Sequence, residues 1–446
     1  MGVLSGQSRC QRRGHRQIAS ILVCAGLLVA ACAGGTTPAT DAVPAGSGLK
    51  PIEPAALQAV VDKTVQDLLI PGAVVLLRTP QGDFTAASGT TDLGTQNRPA
   101  TDTHFRIASV TKTMTSAVIL QLAQEGKLHL SDPVSKYVPG VPNGDDITLA
   151  ELLKMRSGLY NYTDDPELAG FLDHDPTKVW TPQELLDMAF AHPPNAPPDT
   201  IFEYSNTNYV LLGQIAEKVD DKPLAAAMHD RLFEPLGLKN TMLPASTSNS
   251  IPEPYSHGYL YGSSSVVLTG TPPYTAEEIA SAQAGTLQPN DYTGINHSFA
   301  AAAGAVISTS DDLATWMQAL VGGRVLNAEY QRVWLDSVQP EDPGNPNREY
   351  GYGITRISWG PNTVYLHGGE TPGYNTEASV DPANQTTLVV WANLTVSPVD
   401  SRDAANSVLL KVMDQIYAAS PLAPSPLAPQ PTPPLATPPL PTPTTR

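Results

Sequence analysis

Runs of residues suited to β-strands sit at the two ends of this chain's body, with helical runs and proline-bearing loops between them. That ordering restricts the fold more than any other feature. Ala73 to Arg78 and Phe84 to Ser88 are short strand-like runs around Pro80-Gln81-Gly82, a hairpin signal. Far along the chain, Tyr350 to Ser358, Thr363 to His367, Glu377 to Asp381 and Thr386 to Asn393 are strand-like again. Leu57, Val60, Val61, Val65, Leu68 and Leu69 recur at helical spacing before the stop Pro71-Gly72. Ala404 to Tyr417 is also helical, with Val408, Leu409, Val412 and Ile416 on one side. The stretch 109–325 is richer in helical runs, and no internal repeat is present. The expected class is α/β: one antiparallel sheet built from both chain ends, flanked by helices, with a mainly helical lobe inserted.

The ends differ from this body. Arg9, Arg12, Arg13 and Arg16 precede an apolar stretch from Ile18 to Ala31, the pattern of a secretory signal and too short for a comfortable membrane span. It ends in Val29-Ala30-Ala31-Cys32, which resembles the bacterial lipobox, where cleavage leaves a lipid-modified cysteine. Residues 1–31 are therefore expected to be a lipoprotein signal peptide, and 32–50 a flexible tether rich in small residues. Residues 51–418 are the expected catalytic domain, and 419–446 a disordered, proline-rich tail. The expected location is the outer face of a bacterial membrane, with Cys32 as the lipidated anchor.

Charge and cysteine usage exclude several functions. There are 43 acidic side chains against 26 lysines and arginines, four of the latter in residues 1–31, so no basic footprint for nucleic acid exists. The three cysteines, Cys10, Cys24 and Cys32, all precede the body, which thus lacks disulfides, a thiol nucleophile and a cysteine metal site. The nine histidines include no His-x-x-x-His or His-x-His pair, so neither a metal nor another cofactor is expected.

Ser109-Val110-Thr111-Lys112 opens a helical run ending near Gly126. At i and i+3 the serine and lysine share one helix face, and the amides of a helix start favour negative charge on the serine oxygen. A desolvated lysine loses basicity and can accept the serine proton, making a nucleophile with its base. The pattern alone is cheap, since Ser47-Gly48-Leu49-Lys50 also fits it. Two further motifs raise its weight. Tyr204-Ser205-Asn206 is the chain's Tyr-x-Asn, and His367-Gly368-Gly369 its His-x-Gly, at the end of a strand-like run.

With these in order, the chain resembles the penicillin-recognising serine hydrolases: class C β-lactamases, D-alanyl-D-alanine carboxypeptidases and related esterases. Leu152 to Leu159 and Ala302 to Thr309 resemble further stretches of that family, and the likeness covers roughly residues 55–415. The resemblance implies that Ser109 attacks an acyl carbonyl, Lys112 takes or relays its proton, and Tyr204 relays protons to the leaving group. A phenol near an ammonium is expected to have a lowered pKa for that task. Asn206 is implied to bond the lysine and the substrate, and His367 to replace the lysine of the commoner Lys-Thr-Gly motif. Gly368 and Gly369 let a substrate approach the strand edge, and the amides of Ser109 and Glu370 form the implied oxyanion hole.

Substrates implied are peptidoglycan-type stem peptides, penicillins or neutral acyl esters. Gly368 and Glu370 supply no hydroxyl for a terminal carboxylate. The resemblance places Thr355 at the position where the family's carboxypeptidases carry an arginine, and strand alternation then turns Arg356 to the other side. That weakens the terminal carboxypeptidase reading and strengthens an esterase, amidase or D-amino-acid-type peptidase. A Gly-x-Ser-x-Gly elbow of the α/β-hydrolases is absent. A non-catalytic penicillin- or cell-wall-binding lipoprotein is the alternative of another class.

Overall fold

The structure is a computed structural model that describes residues 48–269 and 274–418. The signal segment 1–31, Cys32, most of the tether and the proline-rich tail 419–446 lie outside the described residues.

Among the described residues the first helix is α1 (Pro54–Asp67), followed by the hairpin β1 (Gly72–Thr79) and β2 (Gly82–Gly89). The middle of the chain supplies helices α2 (Thr111–Gln124), α3 (Asn206–Asp220) and α4 (Ser310–Val321), with shorter helices around them. Six strands then follow: β3 (Gln339–Asp342), β4 (Asn345–Tyr350), β5 (Thr355–Trp359), β6 (Asn362–Thr371), β7 (Tyr374–Asp381) and β8 (Thr386–Ala392). Helix α5 (Ala404–Ile416) closes the body. The sheet order is β2-β1-β8-β7-β6-β5-β4-β3, with antiparallel neighbours, so β1 lies against β8 across most of the sequence. A sheet assembled from both termini is what the strand-like runs imply.

Alternation along each strand separates two cores. Val74, Leu76, Val389 and Trp391 point into the core shared with α2, α3 and α4. Ala73, Val75, Leu77, Leu388 and Val390 point into the core under α1 and α5. Burying apolar area at ~25 cal/mol per Å² on both faces is the main term holding a disulfide-free body together.

Two boundaries differ from the sequence reading. Residues 48–50, expected in the tether, are part of the body: Leu49 is buried and bridges to Tyr417, and Lys50 N–H donates to Ile416 O at 2.7 Å. Local sequence conceals this, because the contact is with the far end of the chain. Tyr350 to Ser358 is not one strand. Gly351 N–H donates to Ile354 O at 2.8 Å, and Gly353 has φ 71°, so the segment turns between β4 and β5. Among the described residues no helix is long and apolar enough to cross a membrane.

Candidate active site

Ser109 lies in a short 3-10 turn, Ala108–Val110, that leads directly into α2, and Ala108 before it holds φ 47°. A left-handed alanine costs of order 1 kcal/mol and persists where its surroundings fix it. Here those surroundings are the strand β6. A Cβ on Gly369 would fall 2.1 Å from Ile107 O and 3.2 Å from Ala108 Cβ, so only glycine lets β6 and the serine turn meet. This contact brings the backbones of Ser109 and Glu370 together, the two implied oxyanion donors.

Lys112, one turn on, is fully buried. Its Nζ lies 2.9 Å from Ser109 Oγ, 2.7 Å from Asn206 Oδ1 and 2.8 Å from Ala303 O. None of these three partners carries charge, so burial drives the lysine pKa well below its ordinary value. A neutral amine has two N–H groups and one lone pair. Asn206 and Ala303 accept the two N–H groups, which leaves the lone pair for the hydroxyl of Ser109. That is the geometry of a base.

Asn206 is the first residue of α3. Its backbone N–H donates to Asn161 Oδ1 at 2.9 Å and its Nδ2 to Thr163 Oγ1 at 3.0 Å, which fixes the amide with its oxygen toward Lys112. Tyr204 stands just before α3 and lines the same cleft as Ser109, with Lys112 Nζ 4.8 Å from its ring centre. The expected lowering of its pKa is not found. Desolvation outweighs the lowering influence of Ser109, the fields of Glu370 and Glu341 add to it, and the phenol is pushed up. Tyr204 therefore rests protonated and is a proton donor before it is an acceptor.

His367 is buried at 4% exposure and does not present a cation to the cleft. Its Nδ1 lies 2.6 Å from Gly368 O and its Nε2 2.9 Å from the hydroxyl of Tyr350. The first nitrogen must donate to a carbonyl, so the second accepts from the tyrosine, and the ring is neutral. Burial is the chief cause that lowers its pKa to about 3. Tyr350 carries no sequence signal: it belongs to no motif and lies 17 residues from His367.

These residues share one cleft of about 440 Å³, lined by Ser109, Asn161, Tyr204, Asn206, Tyr350 and the His367–Glu370 strand edge. Thr355 lines it and Arg356 does not. Arg356 is instead ion-paired with Glu349, Nη2 to Oε2 2.5 Å. Arg348 does line the cleft, held by Glu341 at 2.6 Å. The Glu370 side chain is exposed within this lining.

The chain is similar to known proteins in sequence and in structure. The family model described as Beta-lactamase matches residues 57–412. A D-stereospecific amidohydrolase from Streptomyces sp. is similar in structure, with 32% identity and a TM-score of 0.68, over 80% of this chain and 98% of that one. The D-amino acid amidase of Ochrobactrum anthropi SV3, complexed with D-phenylalanine, is 26% identical with a TM-score of 0.68, over 81% and 98%. The D-alanyl-D-alanine-carboxypeptidase/endopeptidase AmpH of Escherichia coli (strain K12) is 35% identical over 159 residues, 34% of this chain and 40% of that protein. The chain spans less than two thirds of the length of AmpH and of the other foremost curated relatives.

Proposed function

The chain belongs to the Beta-lactamase family, and from that premise we propose that it is a serine acyl-enzyme hydrolase that cleaves amide or ester bonds in small acyl or peptide substrates. The observation that carries this reading is Lys112, buried without a counter-ion and 2.9 Å from Ser109 Oγ. Ser109 Oγ attacks the acyl carbonyl as Lys112 Nζ takes its proton. The oxyanion that forms is stabilised by the amides of Ser109 and Glu370. Tyr204 gives its proton to the departing amine or alcohol and recovers one from Lys112. Water then attacks the acyl-enzyme by the same path in reverse.

The D-amino-acid amidase type of activity is favoured over a terminal carboxypeptidase. A carboxylate-recognising strand needs a cation or hydroxyl, whereas His367 is neutral, Gly368 is bare and Arg356 is paired elsewhere. Peptidoglycan-type peptides and penicillins remain within the substrate class that the relatives represent. The test is incubation with a tagged fluorophosphonate and, separately, a tagged penicillin, with the adduct located by peptide mapping. Adduct at Ser109 with the phosphonate, abolished in Ser109→Ala, is the expected result. No adduct with either reagent in folded protein overturns the reading.

We further propose that the protein is exported and held to the outer face of the membrane through Cys32. Support comes from the arginines ahead of an apolar stretch and from Val29-Ala30-Ala31-Cys32. Incorporation of labelled palmitate that is lost in Cys32→Ala is the expected outcome. A soluble, unlabelled product would overturn it.

A further inference from the structure

The cleft's far wall carries a charge pattern that the acyl-transfer machinery does not use. Along β6, Tyr365 packs into the core under the helical lobe and Leu366 into the core under α5. Alternation therefore turns His367 and Gly369 toward Ser109, and Gly368 and Glu370 toward α5. On that second side Gly368 pairs with Glu377 and Glu370 with Asn375 of β7. Because Gly368 has no side chain, the Glu377 carboxylate occupies the space, 3.0 Å from where a Cβ would stand. Asp403, at the start of α5, completes a wall of three carboxylates in the cleft that holds Ser109.

Glu377 itself is only 4% exposed. One of its oxygens accepts from Asn406 Nδ2 at 3.0 Å, and the other, Oε2, has no partner in the protein. A buried carboxylate oxygen with no donor is costly, by several kcal/mol when fully charged. The cationic side chain that lines this cleft among the described residues, Arg348, is engaged by Glu341. The wall thus gathers three acidic side chains, and one buried oxygen of Glu377 has no donor in the protein.

We propose that Glu377, with Glu370 and Asp403, is a binding subsite for an ammonium group on the substrate, so that the enzyme selects acyl substrates bearing a free amine. This rests on the hydrolase reading above and adds the substrate's charge to it. The same residues explain why selection acts on the chemical step. Carboxylates close to the amide of Glu370 oppose the negative charge that develops on the oxyanion, and a bound ammonium offsets them. Burial pushes Glu377 up to about 7, and a cation beside it holds it ionised.

The test uses the full chain and three fluorophosphonates of equal length that end in a primary ammonium, a hydroxyl or a carboxylate. Each reagent forms a bond from Ser109 Oγ to phosphorus with loss of fluoride. The quantity read is the ratio of second-order labelling rates at Ser109. The expected ammonium-to-hydroxyl ratio is about ten or more at low salt, with the carboxylate slowest. In Glu377→Gln that ratio falls about tenfold, toward one. Should Glu377→Gln fail to fold, Asp403→Asn and the salt dependence of the wild-type ratio read the same quantity. Equal rates for all three reagents in the wild type overturn the subsite while leaving the nucleophile standing. A ratio unmoved by either substitution also overturns it. Labelling by none of them removes the hydrolase reading, and the subsite with it.

Discussion

The hydroxyl of Tyr350 lies 2.9 Å from Nε2 of His367, and it decides what kind of group ends the strand motif. With Nδ1 donating to Gly368 O, the tyrosine proton fills the remaining lone pair, and the ring is fixed as a neutral acceptor. The place where the commoner motif has a lysine thus carries no charge. Removing the hydroxyl in Tyr350→Phe leaves a buried nitrogen without a donor, at a cost of roughly 1–3 kcal/mol of stability. Chemical unfolding of the variant measures that cost. Burial still lowers the histidine pKa, so between pH 5 and 8 no His367 titration is expected by ring NMR, in wild type or variant. A histidine titrating near its ordinary 6.5 would contradict the neutral assignment.

Lys112 makes the opposite trade. Its amine is buried among neutral acceptors, so the folded protein bears the desolvation of any charge it holds. Lys112→Met removes that burden and keeps the volume but orphans Asn206 Oδ1 and Ala303 O, so stability is expected to change by no more than about 1 kcal/mol either way. Acylation of Ser109 is expected to fall by roughly 10²–10⁴, the usual worth of a positioned base. Parallel unfolding and fluorophosphonate labelling separate the two effects. A variant that is less stable yet labels normally would show Lys112 to be a packing residue.

How far these groups could be read from the sequence depends on spacing. Ser109 and Lys112 lie one helical turn apart, and Asn206 opens α3 two residues after Tyr204, so local periodicity exposes them. The exclusion of Arg356 follows from the family resemblance, which puts Thr355 at the site, together with the two-residue period of a strand. Glu377 and Tyr350 were not legible, because each meets its partner across a sheet: Glu377 pairs with Gly368, and Tyr350 reaches from β4 past β5 to His367. Cross-strand register depends on turn lengths that no local pattern records. The same holds for Leu49, whose partner Tyr417 is at the other end of the body. The Tyr204 phenol departs from its expectation because burial penalises a phenolate more than a nearby ammonium favours it.

Glu377 gives a pH dependence with a definite sign. Its pKa rises from 4.5 to about 7 on folding, chiefly through burial, so the folded protein holds this proton more tightly than the unfolded chain. Its contribution is therefore most favourable below about pH 4.5 and declines as pH rises to about 7. Above that it is constant. The full loss is about 3 kcal/mol on the free protein. Glutamine cannot ionise, so the stability difference between Glu377→Gln and wild type should grow in the variant's favour from pH 4.5 to 7 and then level. Denaturant midpoints across that range supply the curve. A difference independent of pH would mean that Glu377 is not held in its protonated form by the fold.

The two glycines of the strand motif should separate cleanly, because a methyl group meets different neighbours at each. At Gly369 a Cβ falls 2.1 Å from the carbonyl of Ile107, backbone that cannot yield without moving the serine turn. Gly369→Ala is expected to cost about 1–3 kcal/mol and to lower Ser109 labelling by about 10² or more, since a displacement near 1 Å in the nucleophile has that effect. At Gly368 the same methyl meets the end of the Glu377 side chain at 3.0 Å, a contact the carboxylate can relieve by turning. Gly368→Ala should therefore keep its fold and its labelling by a hydroxyl-ended phosphonate far better than Gly369→Ala. What it loses first is preference for the ammonium-ended reagent, because the carboxylate that turns aside is the one proposed to hold the cation. Labelling rates for both variants with both reagents make the comparison, and equal damage from the two substitutions would contradict the opposed facing of these adjacent residues.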